Sequence, residues 1–254
     1  MLGYEIYGSG PQGVIVLNDW VSDTSSWDGA RPYLDGQAYR WVFADLRGYG
    51  RSIGQRGAYT VTEAARDVLE LGDALDLREF ALVGHSMSSL VALHLAQQPS
   101  TRVSRAVLIT PPPPAGLGMD AAQVAGMAAL GGGDDAHRLA ALRSLWGDRL
   151  GDGWARYKTR RWRETADAQA AAAYQLIFTR EGVPSPTAPV SVPVLAIAGE
   201  QDLPPMRSGA VTEAYRGICP QLAVAAITDS AHYPMQETPP LLVSLVQRFL
   251  AADD

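Results

Sequence analysis

In the first half of the chain, short apolar runs alternate with stretches of helical period, and this pattern admits few architectures. The apolar runs are Gly13 to Leu17, Arg40 to Ala44, Phe80 to Gly84 and Val103 to Thr110, joined later by Val192 to Ala198 and Leu222 to Ile227. Most are Val, Ile, Leu and Ala without strict alternation, as expected of strands covered on both faces. The reading is an α/β fold: a doubly wound, mostly parallel sheet with helices on both faces. Two helices are well marked. From Met87 to Gln98 the apolar positions Met87, Leu90, Val91 and Leu95 recur at three- and four-residue spacing until Pro99 stops the run. Near the end, Thr238 as N-cap, Pro239 at the first helical position and the stripe Leu241, Leu242, Leu245, Val246, Phe249, Leu250 predict a packed terminal helix.

The middle breaks the pattern. Pro111 to Pro114 end the alternation, an alanine-rich stretch with tryptophans runs to about Arg180, and Pro184, Pro186, Pro189 and Pro193 lead back into a buried strand. This divides the chain into a core at 1–111 and 189–254 with a helical cap inserted at 112–188, the run Gly131 to Asp135 linking cap helices flexibly. At 254 residues the chain fits one such unit. Hydrophobic residues make up 47 % and charged residues 19 %, enough for a large core and too polar for a membrane protein. The net charge of -6 gives no footprint for nucleic acid. With no basic and apolar leader after Met1, a cytoplasmic location is expected. The single cysteine, Cys219, reads as a small buried hydrophobe.

One segment points to chemistry. Gly84-His85-Ser86-Met87-Ser88 carries a buried strand through a tight turn into a helix, which exposes a serine hydroxyl beside the free N–H groups of a helix start. It matches the nucleophile-elbow pattern G-x-S-x-G in all but the last position, where the small Ser88 stands. A serine needs a general base. Of the four histidines, His85 adjoins Ser86 and is expected to project away from it, His94 reads as packing and His137 as solvated; His232, in a turn-rich loop between the last strand and the last helix, is the candidate base. The base needs a buried acid, and Asp202 follows a strand in the order serine, acid, histidine, with Glu200 as rival on the same loop.

These residues make the chain resemble the α/β-hydrolase superfamily over nearly its whole length, especially its small capped, cofactor-free esterase- and lactonase-like members. Asp45 to Ser52 is similar to that family's D-x-R-G-x-G-x-S turn, and Gly8-Ser9-Gly10-Pro11 also fits. Where many relatives carry His-Gly-x, this chain has Asn18-Asp19-Trp20. The resemblance assigns the oxyanion-hole N–H groups to Trp20 and Met87. Asp19 there restricts the loop and brings a carboxylate near the site, or else points to solvent.

The resemblance implies hydrolysis of a carboxylic ester or lactone of a small-molecule substrate, with no metal and no organic cofactor. Asn18, Asp19, His85, Trp146, Trp162 and Tyr233 are candidate pocket residues. In the cap, the charges among Trp154, Arg156, Tyr157, Lys158, Arg160, Arg161, Trp162 and Arg163 are expected to form mostly a solvated face, with a substrate-facing patch as the alternative. A serine at the elbow speaks against the epoxide-hydrolase and dehalogenase branches. A cofactor-free ring-cleaving dioxygenase, a carbon–carbon bond hydrolase, a perhydrolase or a hydrolase-like ligand receptor stay open, since fold does not fix function. The oligomeric state is not legible.

Overall fold

The computed structural model describes residues 1–98, 101–146, 149–185 and 188–252. Pro99 and Pro186, read above as breaks, and the side chain of Trp146 lie outside the described residues. Among the described residues seven strands form one sheet: β1 (Gly3–Tyr7), β2 (Gln12–Leu17), β3 (Tyr39–Asp45), β4 (Phe80–His85), β5 (Val103–Ile109), β6 (Val194–Gly199) and β7 (Leu222–Ile227), in the spatial order β1-β3-β2-β4-β5-β6-β7. β1 runs antiparallel to β3, and the other five pairings of these strands are parallel. The central strands β2, β4 and β6 are buried almost throughout, which is why they read as continuous apolar runs. β6 begins at Val194 rather than Val192. Proline has no N–H to give a ladder, so pairing starts after Pro193.

Helices α1 (Val61–Ala74) and α2 (Met87–Ala96) pack together, α2 also lies on β4 and β5, and α7 (Ser208–Arg216) covers β6 and β7. The one-turn helix α8 (Pro234–Glu237) leads into α9 (Pro239–Leu250), which packs against the turn at Arg31–Tyr33. Thr238 precedes α9 as expected, but its hydroxyl donates back to the Pro234 carbonyl (3.4 Å) and caps nothing, because α8 ends on the same residue. Between β5 and β6 lie α3 (Ala121–Gly131), α4 (Asp135–Trp146), α5 (Asp152–Thr165), α6 (Ala168–Leu176) and a π-helical stretch, Ile177–Glu181. Among the described residues no helix is long and apolar enough to cross a membrane.

The strand order locates the site. From β2 the chain moves outward to β3, then crosses back over β2 to β4, so β2 and β4 flank a topological switch point, where open α/β sheets bind ligands beyond their carboxyl ends. Leu17 pairs with Gly84, His85 with Ile109, Ile109 with Ile197 and Gly199 with Ile227. The loops starting at Asn18, Ser86, Glu200 and Thr228 therefore emerge along one edge.

Candidate active site

Ser86 joins β4 to α2 with φ 53° and ψ -119°, a left-handed conformation that costs a non-glycine residue of order 1–3 kcal/mol. The turn is tight: a Cβ on Gly84 would lie 2.4 Å from the Ser88 carbonyl oxygen. Ser88, in the last position of the elbow, is buried; its Oγ accepts from His85 N–H (2.9 Å) and donates to the His85 carbonyl (3.1 Å). A serine there ties the turn across itself, which glycine would not do. Met87 is the first residue of α2, so its N–H has no carbonyl one turn back within the helix.

Ser86 Oγ lies 2.9 Å from His232 Nε2, and His232 Nδ1 lies 2.8 Å from Asp202 Oδ2. With the carboxylate accepting from Nδ1–H, Nε2 is left bare to take the serine proton. Leu203 N–H donates to the other Asp202 oxygen (2.7 Å). Glu200, the rival acid, accepts instead from Ser208 N–H at the start of α7 (3.1 Å). Gly199 lets the acid and histidine loops cross, since a Cβ there would meet the Ala231 carbonyl oxygen at 2.1 Å. Burial disfavours a charged His232, but the charge and hydrogen bond of Asp202, followed by the charges of Asp19 and Glu237, outweigh it and raise its pKa above 6.5.

Three further residues hold the histidine in place, and sequence reading missed two of them. Glu237 accepts from Ala231 N–H and Tyr233 N–H (both 2.9 Å), clasping the loop around His232. Thr110 Oγ donates to the His232 carbonyl (3.3 Å). His85, buried, uses Nε2 on the same carbonyl at 2.7 Å; a carbonyl only accepts, so this nitrogen carries the proton. Burial, opposed by Asp19, pushes the His85 pKa down to about 4. The D-x-R-G-x-G-x-S turn is structural here: Asp45 accepts from Thr24 N–H (2.8 Å) and Arg51 N–H (2.9 Å), and burial raises its pKa to about 6.

The Asn18-Asp19-Trp20 loop is packed, not solvated. Asp19 is 3 % exposed, and its Oδ1 lies 3.8 Å from both Lys158 Nζ and His85 Nδ1. Burial works against its charge, yet Lys158, His85 and a hydrogen bond with Ser22 outweigh it, so its pKa stays below the usual carboxylate value. Lys158 corrects the expectation for α5: it is buried, and donates to Ser22 Oγ and to Ser26 Oγ (3.2 Å). Arg161, one turn on, pairs with Asp23, whereas Arg156, Arg160 and Arg163 are exposed. No spacing in the sequence marks Lys158; its hydrogen-bond and ion-pair partners are more than a hundred residues away.

Asp19, His85 and His232 each bring one ligating atom within 4.8 Å of the others. The arrangement suits acid–base chemistry better than a metal ion. His232 Nε2 is engaged by Ser86, and the Lys158 ammonium would repel a cation from the Asp19 oxygen it faces.

Ser86 and His232 open on a cavity of about 200 Å³. Asp19, Trp20 and Tyr233 line it near the serine, and Met127, Leu130, Leu142, Leu145 and Trp162 of the inserted helices line its far side. Trp20 donates its indole N–H to the Ala171 carbonyl (2.8 Å) and packs edge-on against Trp162 and Phe178. Asn18 and His85, expected among the pocket residues, do not line it. With its amide oxygen facing Thr24 N–H (3.1 Å), Asn18 donates to the Asp23 carbonyl (3.0 Å), and His85 lies behind His232. His94 is half-buried at the end of α2, His137 is exposed beside Asp134, and Cys219 is buried.

A sequence model of the alpha/beta hydrolase fold matches residues 14–239. Among curated relatives, a non-heme chloroperoxidase of Streptomyces lividans is 33% identical over 102 residues, 40% of this chain and 37% of that protein. The chain thus spans less than half the length of the first curated relatives it matches. Among solved structures, the enol-lactonase from Burkholderia xenovorans LB400 superposes with TM-score 0.84 at 24% identity, covering 99% of this chain and 96% of that one. An esterase from Exiguobacterium antarcticum gives 0.83 at 17% identity, covering 98% and 95%. Likeness at these identities concerns the fold.

Proposed function

Since this chain belongs to the α/β-hydrolase fold family, we propose that it is a serine hydrolase that cleaves a carboxylic ester or lactone through an acyl-serine. The observation that carries this reading is the hydrogen-bonded series Ser86, His232, Asp202 opening on an apolar cavity. His232 Nε2 takes the Ser86 proton as Oγ attacks the carbonyl carbon, and Asp202 stabilises the imidazolium. The backbone N–H groups of Trp20 and Met87 hold the oxyanion. The imidazolium gives its proton to the leaving alkoxide; His232 then takes a proton from water, whose oxygen attacks the acyl-serine, and returns it to Ser86 Oγ as the bond to the serine breaks and the acid leaves. Helices α3 to α6, within residues 112–188, serve as the cap that selects what enters.

The cavity favours a neutral, apolar acyl group. The matched chloroperoxidase favours one second reading, in which hydrogen peroxide replaces water at the acyl-serine and leaves as a peracid. Steady-state hydrolysis of a p-nitrophenyl ester series by the wild-type chain, Ser86→Ala and His232→Ala tests the proposal. Activity that falls about a thousandfold or more in both variants is expected. Undiminished turnover by Ser86→Ala would refute the mechanism, and peroxide-dependent peracid formation exceeding hydrolysis would favour the second reading.

A further inference from the structure

Helix α5 turns Trp154, Lys158, Arg161 and Trp162 toward the loop after β2 and toward Tyr233 and Gln236. Trp154 donates its indole N–H to Gln236 Oε1 (2.9 Å) and packs on Tyr233; Arg161 pairs with Asp23; Trp162 packs on Trp20. These contacts already fasten the helix, so anchoring alone does not call for a lysine. Yet Lys158, only 3 % exposed, keeps an ammonium where desolvation is unfavourable unless it is paired and hydrogen-bonded. Its polar partners, Ser22 Oγ, Ser26 Oγ and Asp19 Oδ1, all stand on the one loop after β2, and its Nζ lies 4.8 Å from the Tyr233 ring centroid. Asp19 immediately precedes Trp20, the proposed oxyanion donor, and its carboxylate oxygen is within 4.8 Å of a His232 ring nitrogen.

We infer that Lys158 is a positioning residue for the Ser86 reaction: from the cap it fixes the loop that offers the Trp20 N–H, and it screens the Asp19 carboxylate from His232. The inference rests on the serine-hydrolase reading above. Among the described residues, the titratable groups that face His232 are Asp202 from the loop after β6, Asp19 from the loop after β2, Glu237 from α8, His85 from the end of β4, and the neighbouring Tyr233. Glu237 is already engaged by Arg149 and two backbone N–H groups. Asp19 has Lys158 as its cationic partner. Removing the ammonium leaves the Asp19 carboxylate facing the imidazole without that cation and holds a proton on the base.

The experiment follows kcat and KM against pH for a short-chain p-nitrophenyl ester, and the His232 imidazole resonances by NMR titration, in the wild-type chain, Lys158→Met, Asp19→Asn and the double variant. In Lys158→Met the His232 midpoint is expected to rise by about one pH unit or more. Its kcat is expected to fall about ten- to a hundredfold, with a smaller change in KM. Asp19→Asn should lower the midpoint, and the double variant should restore it to near the wild-type value while kcat stays low, because the loop is still unfastened. Single-variant midpoints equal to wild type, or a wild-type kcat in Lys158→Met, would overturn the inference. If Lys158→Met does not fold, an unmoved midpoint in Asp19→Asn overturns it. A wild-type chain without turnover would sink the hydrolase reading, whereas the NMR midpoints decide the screening of His232 by themselves.

Discussion

Ser86 is held in a backbone conformation that its own side chain opposes. Glycine adopts that conformation freely but has more to lose from the unfolded state. Ser86→Gly is therefore expected to be about 1 kcal/mol more stable than Ser86→Ala, the reverse of the usual order, with activity lost in both. Denaturant midpoints of the two inactive variants check this. The histidines set two opposed pH dependences. As the proposed general base His232 has to be neutral, and its pKa is raised, so kcat/KM is expected to fall as pH drops through a midpoint above 6.5. The same shift stabilises the folded chain fully below the unfolded pKa and is lost as pH rises through the folded one. His85, held near 4, works the other way: its contribution is present above 6.5 and disappears as pH falls toward 4. A pH–rate profile set beside urea midpoints at several pH values separates the two. At this scale Ser86, His232 and Asp202 were legible because each sits in a loop right after an apolar strand, where residue type and order carry the signal. Lys158 and Glu237 were not, since a lysine on a charged helix and a glutamate in a short turn look solvated until the fold brings their partners.

For whole elements, α5 shows where legibility ends. Its charges were expected to be mostly solvated, and Arg156, Arg160 and Arg163 are exposed, but the positions between them face inward. Helical period tells which residues share a face; it does not tell what that face meets. The partners of this one lie on the 19–26 loop and at Tyr233 and Gln236. The strands were easier to find because burial on both faces leaves continuous apolar runs, although a ladder starts where N–H groups allow, as Pro193 shows. Arg161→Ala is expected to cost about 1–2 kcal/mol, as it strips the buried Asp23 of its cationic partner. Arg160→Ala, on the exposed face of the same helix, should stay within about 0.5 kcal/mol. Thermal melts of the two variants distinguish the faces.

Across the whole molecule, strand order was absent from the local pattern, and it is strand order that creates the crevice. Only because the chain crosses back over β2 do Asp19 and Ser86 stand at neighbouring strand ends. The roof comes from helices between β5 and β6, and most of its lining is aliphatic or aromatic, with Asp19 kept ionised beside the serine. An acyl group ending in a second carboxylate should accordingly be processed more than about tenfold less efficiently than an uncharged one of equal length, read as kcat/KM on matched p-nitrophenyl esters. Roof and floor also share one chromophore. Trp20 stands on the floor, yet its indole is hydrogen-bonded to Ala171 above and packed on Trp162. Were the proposed cap to lift for a substrate, that ring would be wetted, and the difference in emission between the wild-type chain and Trp20→Phe would report it as a built-in optical gauge.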